Sequence, residues 1–281
     1  IVSLSDLGDL TYPYKSLDGK TQTIKDIFEN KNELTKEVIE AQKPMIIFGE
    51  SFLKSKSAKF LFSSFKNFLL SNNKFTDDWS PLNFLPCDAA TVGSLDLDII
   101  DKKNQLIESL NEHKFDLVFL LGQDNLKFNK KNEFIIYVGS HGDNGAELAD
   151  IILPGAAYTE QSGHYTNLEG KVQKAYKASY PPGDAKEDWE IINNLAEFMN
   201  NRKLFNDRDE LESSMFNYIN LKKEKQESPS NSKVDLSDFE DEILKITYKD
   251  YYFSNVIARS SKTMLNCNNS KLEVKRTGTE G

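Results

Sequence analysis

Cysteine is nearly absent: Cys87 and Cys267 are the two in 281 residues, 180 positions apart. No C-x-x-C pair exists, so the chain alone cannot build a thiolate-ligated iron–sulfur cluster or a Cys-type zinc site. Buried thiols in a reducing compartment are expected in preference to a disulfide. Long apolar runs are also missing. Leu117-Val118-Phe119-Leu120-Leu121 is among the longest, far short of the about 20 apolar residues a membrane-spanning helix needs. Positive charge is in deficit, with 35 Lys+Arg against 44 Asp+Glu and a net charge of -9. That balance repels a polyanion and argues against nucleic acid as a partner. The chain opens on Ile1, without a signal-peptide pattern, which we read as a processed chain or an internal start whose targeting segment is already gone.

What is present is a set of brief apolar runs at 44–49, 115–122, 134–139 and 150–154, each ending at Gly or Pro. Continuous runs without alternation predict strands buried on both faces, as in a parallel sheet. Between them lie helical patterns. Over 55–72, Ala58, Leu61, Phe62, Phe65, Phe68 and Leu69 fall on one helical face. Residues 103–113 give a weaker helix with Leu106, Ile107 and Leu110 as its apolar side. Asp184-Ala185-Lys186-Glu187, after Pro181-Pro182-Gly183, reads as a capping arrangement. The helix it opens would bury Trp189, Ile192, Leu195, Ala196 and Met199.

This alternation predicts a layered α/β fold, a mainly parallel sheet with helices on both faces, followed by a helical and irregular C-terminal tail. The domain boundary falls near residue 200, giving 1–200 as the α/β domain and 201–281 as the extension. Within the extension, 206–220 is helical, 222–235 is a polar linker, and 236–264 is amphipathic with Tyr248, Tyr251, Tyr252 and Phe253. The stretch 266–281 has little to bury.

Tests for familiar active sites fail. Gly19-Lys20-Thr21 carries Tyr14 where a phosphate loop needs its first glycine. Gly139-Ser140-His141-Gly142-Asp143-Asn144-Gly145 follows a strand, but misses the G-x-G-x-x-G spacing and carries Asp143 where a phosphate would sit. A tight loop is the expected reading. Of the three histidines, His113 is placed at a helix end on the surface, while His141 and His164 lie in Gly-flanked loops. A two-histidine metal site would need carboxylates that the sequence does not designate. Gln161-Ser162-Gly163 lacks the first glycine of a nucleophile elbow, and Glu160 with Glu169 is no more than two carboxylates among many. No residue is assigned a catalytic, cofactor-binding or metal-ligating role.

One block is more specific. His141-Gly142-Asp143-Asn144-Gly145-Ala146 runs into Ala149-Asp150-Ile151-Ile152-Leu153-Pro154-Gly155, then Tyr165-Thr166-Asn167-Leu168-Glu169-Gly170-Lys171, and later Glu187-Asp188-Trp189. Together with Asp9-Leu10-Thr11-Tyr12-Pro13-Tyr14 and Arg259-Ser260-Ser261-Lys262-Thr263-Met264, it resembles the C-terminal part of the 75-kDa iron–sulfur subunit of NADH:ubiquinone oxidoreductase, respiratory complex I, known in bacteria as its G subunit. The resemblance implies a molybdopterin-oxidoreductase-like domain that has lost its cofactor. Lys171 stands where that motif has Arg, which weakens a bidentate anion contact.

It further implies iron–sulfur clusters in the N-terminal part, absent here or carried by a separate chain as in a split subunit. That part and other peripheral-arm subunits would be the partners, on the matrix side of the mitochondrial inner membrane. The chain itself would be non-catalytic within a multisubunit oxidoreductase and would hold no cofactor. An active molybdopterin-dependent fragment and a nucleotide-binding module are the alternatives.

Overall fold

The computed structural model describes residues 1–101, 105–224, 228–245, 250 and 252–273. They divide into two compact units, one formed by Ile1–Asp88 with the described residues of 226–249, the other by the described residues of 89–225 and 250–280.

The first unit is built on phenylalanine. It contains β1 (Val2–Ser3), β2 (Lys15–Ser16), α1 (Thr21–Phe28), α2 (Leu34–Glu40), β3 (Ile46–Gly49), α3 (Glu50–Leu53), α4 (Ala58–Ser71) and β4 (Leu82–Leu85). Of the apolar stripe expected over 55–72, Ala58, Leu61, Phe65 and Leu69 are sealed on α4 and Phe62 and Phe68 are half-buried, while Phe60, outside that stripe, is sealed as well. They pack with Ile24 and Ile27 of α1 and with Phe48 of β3. Phe65 meets Phe28 and Phe48 edge-on, each at 6.3 Å, a geometry that the ring quadrupoles favour. β3 pairs in parallel with β4, Phe48 opposite Phe84, with α3 and α4 as the crossover.

A distant stretch completes this unit. Phe239 lies 5.4 Å from Phe60, Ser57 Oγ donates to the Glu240 carbonyl at 2.8 Å, and the Glu242 N–H donates to Thr21 Oγ1 at 2.8 Å. The expected linker 222–235 is thus partly structured. Lys222 continues a helix that ends at Glu224, and Asn67 clasps the Ser232 backbone in both directions. Residues 225–227 of that stretch lie outside the described residues.

In the second unit, β5 (Leu117–Leu121), β6 (Phe134–Gly139) and β7 (Ile151–Pro154) form a parallel sheet in that order, preceded by α5 (Thr91–Asp96) and α6 (Leu106–Asn111). The α/β class holds, and the four apolar runs supply strands. The expectation of burial on both faces does not hold among the described residues. Leu120, Ile135 and Tyr137 are sealed against Leu110 and Phe128, whereas the opposite face stands half open. After α7 (Asn144–Leu148) come an antiparallel hairpin, β8 (Gly163–Thr166) with β9 (Val172–Ala175), then α8 (Asp188–Asn200), α9 (Arg208–Glu224), α10 (Val256–Ser260) and α11 (Lys262–Glu273).

Several local expectations are corrected. The capping box of α8 uses Glu187 as N-cap with Glu190, not Asp184. Its apolar stripe is not buried either: Ile192 and Met199 are exposed, and the sealed residue is Asn193, which holds the Leu204 and Phe205 backbone. His113 is not a bland surface residue, since its Nδ1 lies 2.5 Å from the buried Glu133. Cys87 and Cys267 are both exposed, with no disulfide among the described residues. Residues 102–104, Tyr248, Tyr251 and 274–281, which carried parts of three expected segments, lie outside the described residues.

Candidate functional site

Open α/β sheets take their ligands outside the C-terminal ends of the strands, so the loops after β5 and β6 are the place to begin. The glycines there serve close packing. A Cβ on Gly139 would stand 2.1 Å from the Tyr137 hydroxyl, and one on Gly145 would stand 2.5 Å from the Gln123 carbonyl oxygen. Buried Tyr137 donates its hydroxyl to the His141 carbonyl at 3.1 Å, and the Gly145 N–H donates to the Asp124 carbonyl at 3.1 Å. The Gly139–Gly145 segment is a tight loop folded over a tyrosine.

Two carboxylates flank this loop, and one cation holds both. Arg259 Nη2 lies 2.5 Å from Asp124 Oδ1, and its Nε lies 2.6 Å from Asp143 Oδ2. Asn255 caps α10 by accepting the Ala258 N–H, which fixes the short helix that carries Arg259. Burial opposes ionisation of Asp143, yet the Arg259 guanidinium and the Asn144 N–H outweigh it and hold the carboxyl below its usual range. Burial, with Asp124 and Asp143 adding, pushes the Tyr137 phenol up.

A second constellation lines a cleft of about 520 Å³ that includes Ser162, His164, Asp188, Trp189, Arg208 and Glu212. Arg208 is its hub. Its guanidinium pairs with Glu187, donates to the Ser162 carbonyl, and reaches Glu212 at 3.1 Å. Lys177 reaches Glu187 at 3.2 Å, and Lys174 reaches Glu212 at 2.8 Å. Burial opposes ionisation of Glu187, but Arg208 and Lys177 together hold its carboxyl low. Asp188 differs: burial, with neighbouring Glu187 adding, pushes its carboxyl up. Burial also depresses His164, whose ring sits edge-on to Phe216 at 5.3 Å.

Of the residues singled out by sequence, Ser162 and His164 line this cleft and the others are distributed. His141 pairs with Ser140 and His164 with Glu212, and no group of three or more His, Cys, Asp or Glu among the described residues could hold a metal. Ser162 Oγ accepts the Lys177 N–H at 3.1 Å. Glu160 accepts the Ala157 N–H at 2.9 Å, which makes it a turn fastener. Asn167 to Lys171 is the tip of the β8–β9 hairpin, where Asn167 Oδ1 accepts the Glu169 and Lys171 N–H groups and Gly170 takes a φ of +77°. Gly19, likewise at +76°, makes a turn in which Asp18 accepts the Lys20 N–H.

Neither Arg208 nor Arg259 was assigned a role from sequence. A signal existed: the chain has four arginines, and these two anchor the two constellations. In a lysine-rich chain, arginine persists where a forked, multidentate donor is needed.

Residues 1–198 match the family model for molybdopterin oxidoreductase, and residues 210–267 match that for the C-terminal region of the G subunit of NADH-ubiquinone oxidoreductase. The chain is 34% identical over 277 residues to the NADH-ubiquinone oxidoreductase 75 kDa subunit of Reclinomonas americana, covering 95% of this chain and 40% of that protein. It is 36% identical over 245 residues to the mitochondrial 78 kDa subunit of Candida albicans, covering 81% of this chain and 33% of that protein. It is 38% identical over 279 residues to the G subunit of NADH-quinone oxidoreductase from Rickettsia typhi, covering 95% and 39%. The chain therefore spans between a third and two-fifths of the length of these relatives.

Molybdopterin is an anionic, phosphate-bearing group, and the strand-end crevice does not fit it. The crevice presents Asp124 and Asp143, its guanidinium is already shared between them, and protein atoms fill the space beside Gly139 and Gly145. An anion entering here would lose the cation and face two carboxylates.

Proposed function

This chain belongs to the molybdopterin oxidoreductase family and carries the C-terminal segment typical of the complex I G subunit, and on that premise we propose that it is the C-terminal portion of the 75-kDa subunit of respiratory complex I. Its role is structural. It scaffolds the peripheral arm through which electrons pass from NADH to ubiquinone, and it holds no cofactor of its own. The observation that carries this reading is identity of 34% along 95% of the chain to a 75 kDa subunit. The Arg259 lock on Asp124 and Asp143 supports the absence of a pterin, and the two family matches support a division near residue 200 into a 1–200 domain and a 201–281 extension.

The partners are the iron–sulfur portion of the same subunit, on this or a separate chain, and other peripheral-arm subunits. The location is the matrix side of the mitochondrial inner membrane. No described helix is long and apolar enough to cross a membrane. Affinity purification of the tagged chain, followed by native electrophoresis and metal analysis, tests the reading. The chain should co-migrate with NADH dehydrogenase activity, while the isolated polypeptide holds no stoichiometric iron or molybdenum and oxidises no NADH. Metal bound by the isolated chain, or migration apart from that activity, would overturn it.

A further inference from the structure

Parallel strands bury both faces because the crossovers that join them lay helices over the sheet. In the β5–β7 sheet one face packs on Leu110 and Phe128, while the other is sealed at Val138 near the C-terminal ends of the strands and left half open over the rest. Leu117, Phe119 and Leu121 of β5, Phe134 of β6 and Ile151 of β7 share the open face and are each between 42% and 50% exposed. The register makes them neighbours: Leu117 lies opposite Phe134, Phe119 opposite Ile136, and Ile136 opposite Ile151. Single exposed apolar residues need no explanation, but a contiguous apolar patch marks a contact surface. These strands place no charged side chain on that face. The first unit shows the same incompleteness. Met45, Ile47 and Leu85 are exposed on one side of its two-stranded parallel sheet, while Phe48 is buried on the other.

A second copy of the chain is a poor occupant, since each copy carries a net charge of -9. The relatives point elsewhere: about three-fifths of their length has no counterpart in this chain. Two- and three-stranded parallel sheets also fall below the usual size of such sheets.

We propose that the open face of β5–β7 is the docking surface for the polypeptide corresponding to the rest of the 75-kDa protein, which lays apolar helix faces across Phe119 and its neighbours and completes the covered sheet. The inference rests on the reading that this chain is part of that protein. Co-expression of the full 281-residue chain with the complementary polypeptide from the same source tests both. The wild-type chain should form a one-to-one complex. Phe119→Glu combined with Leu117→Glu should weaken it by about 30-fold or more, as for central interface anchors. Phe119→Leu should retain it. Because these side chains are half exposed in the chain alone, the Glu variant should keep the wild-type circular dichroism and melting profile. A double variant that binds as tightly as wild type overturns the docking surface and leaves the complex I reading standing. A wild-type chain that does not bind the complement overturns both. A concentration-dependent homodimer abolished by the same substitutions would show that a second copy covers the face, and would overturn the proposal.

Discussion

The two units stabilise themselves by different physics. In the first, aromatic rings interlock around α4, with Leu61 and Leu69 fully sealed and Phe65 nearly so. In the second, the continuous core is smaller, and ion-pair hubs at Arg208 and Arg259 tie together loops far apart in sequence. Apolar burial tolerates salt and pH, whereas ion pairs depend on both.

The contrast can be broken experimentally because each unit carries one tryptophan, Trp79 in the first and Trp189 in the second. Trp79 donates to the Pro44 carbonyl at 2.9 Å, and Trp189 donates to Glu187 at 3.3 Å, so each reports its own surroundings. The largest effect is expected from Phe65→Ala, which leaves a cavity among the three aromatic rings that Phe65 meets and should cost about 3–5 kcal/mol. Urea unfolding followed in a Trp189→Phe background should show that loss. A Trp79→Phe background should show little of it, and equal losses in both would mean the units unfold as one.

Next comes Arg208→Met, which keeps the apolar stem and removes the fork. Glu187, with a side chain 8% exposed, then loses its main counter-ion, although Lys177 remains. Removing one partner of a buried pair costs more than the pair contributes, here about 2–3 kcal/mol, because Arg208 itself is 26% exposed. The Trp189 signal should carry the change, and wild-type stability in the second unit should fall more in 1 M salt than in the first. Arg259→Met should cost less, about 1–2 kcal/mol, since Asp124 and Asp143 keep some contact with water. The sign of its pH dependence is diagnostic. Without Arg259 the Asp143 carboxyl is no longer held below its usual range, so the deficit relative to wild type should shrink as pH falls below about 4 and Asp143 protonates.

Sequence reading succeeded where one physical signal dominated. The runs at 115–122 and 134–139 are strands because uninterrupted Leu, Ile, Val and Phe suit little else at that length, and α4 follows from its spacing. β4 was missed because Asn83 breaks its run and Pro81 precedes it. The β8–β9 hairpin was missed because its residues are polar and its identity lies in the turn at Asn167–Gly170. The constellations were illegible for another reason. Arg208 meets Ser162 across 46 positions, and Arg259 meets Asp143 across 116, so no local spacing could link them. The half-open sheet face was hidden too, because an apolar run predicts burial without saying which of its side chains the fold leaves exposed.

Glu133 tests the contrast at its edge. Glu133 is buried yet held low, to about 2 from an ordinary 4.5, first by the Lys131 N–H and its own backbone and then by His113, against the opposing effect of burial. A carboxyl whose folded pKa lies below its unfolded value binds fewer protons when folded. Its stabilising contribution is therefore complete above 4.5 and disappears as pH falls from 4.5 through about 2. Glu133→Gln removes that titration while leaving an oxygen able to accept the Lys131 N–H now bonded at 2.7 Å. Acid unfolding followed by Trp189 should therefore become shallower across that window in the variant, with the Trp79 transition unmoved. A wild-type acid profile in Glu133→Gln would mean that the second unit owes its acid sensitivity to its Arg208 and Arg259 hubs, which narrows the charge-dependent region to the two constellations and leaves the sheet's buried face governed by the same apolar physics as the first unit.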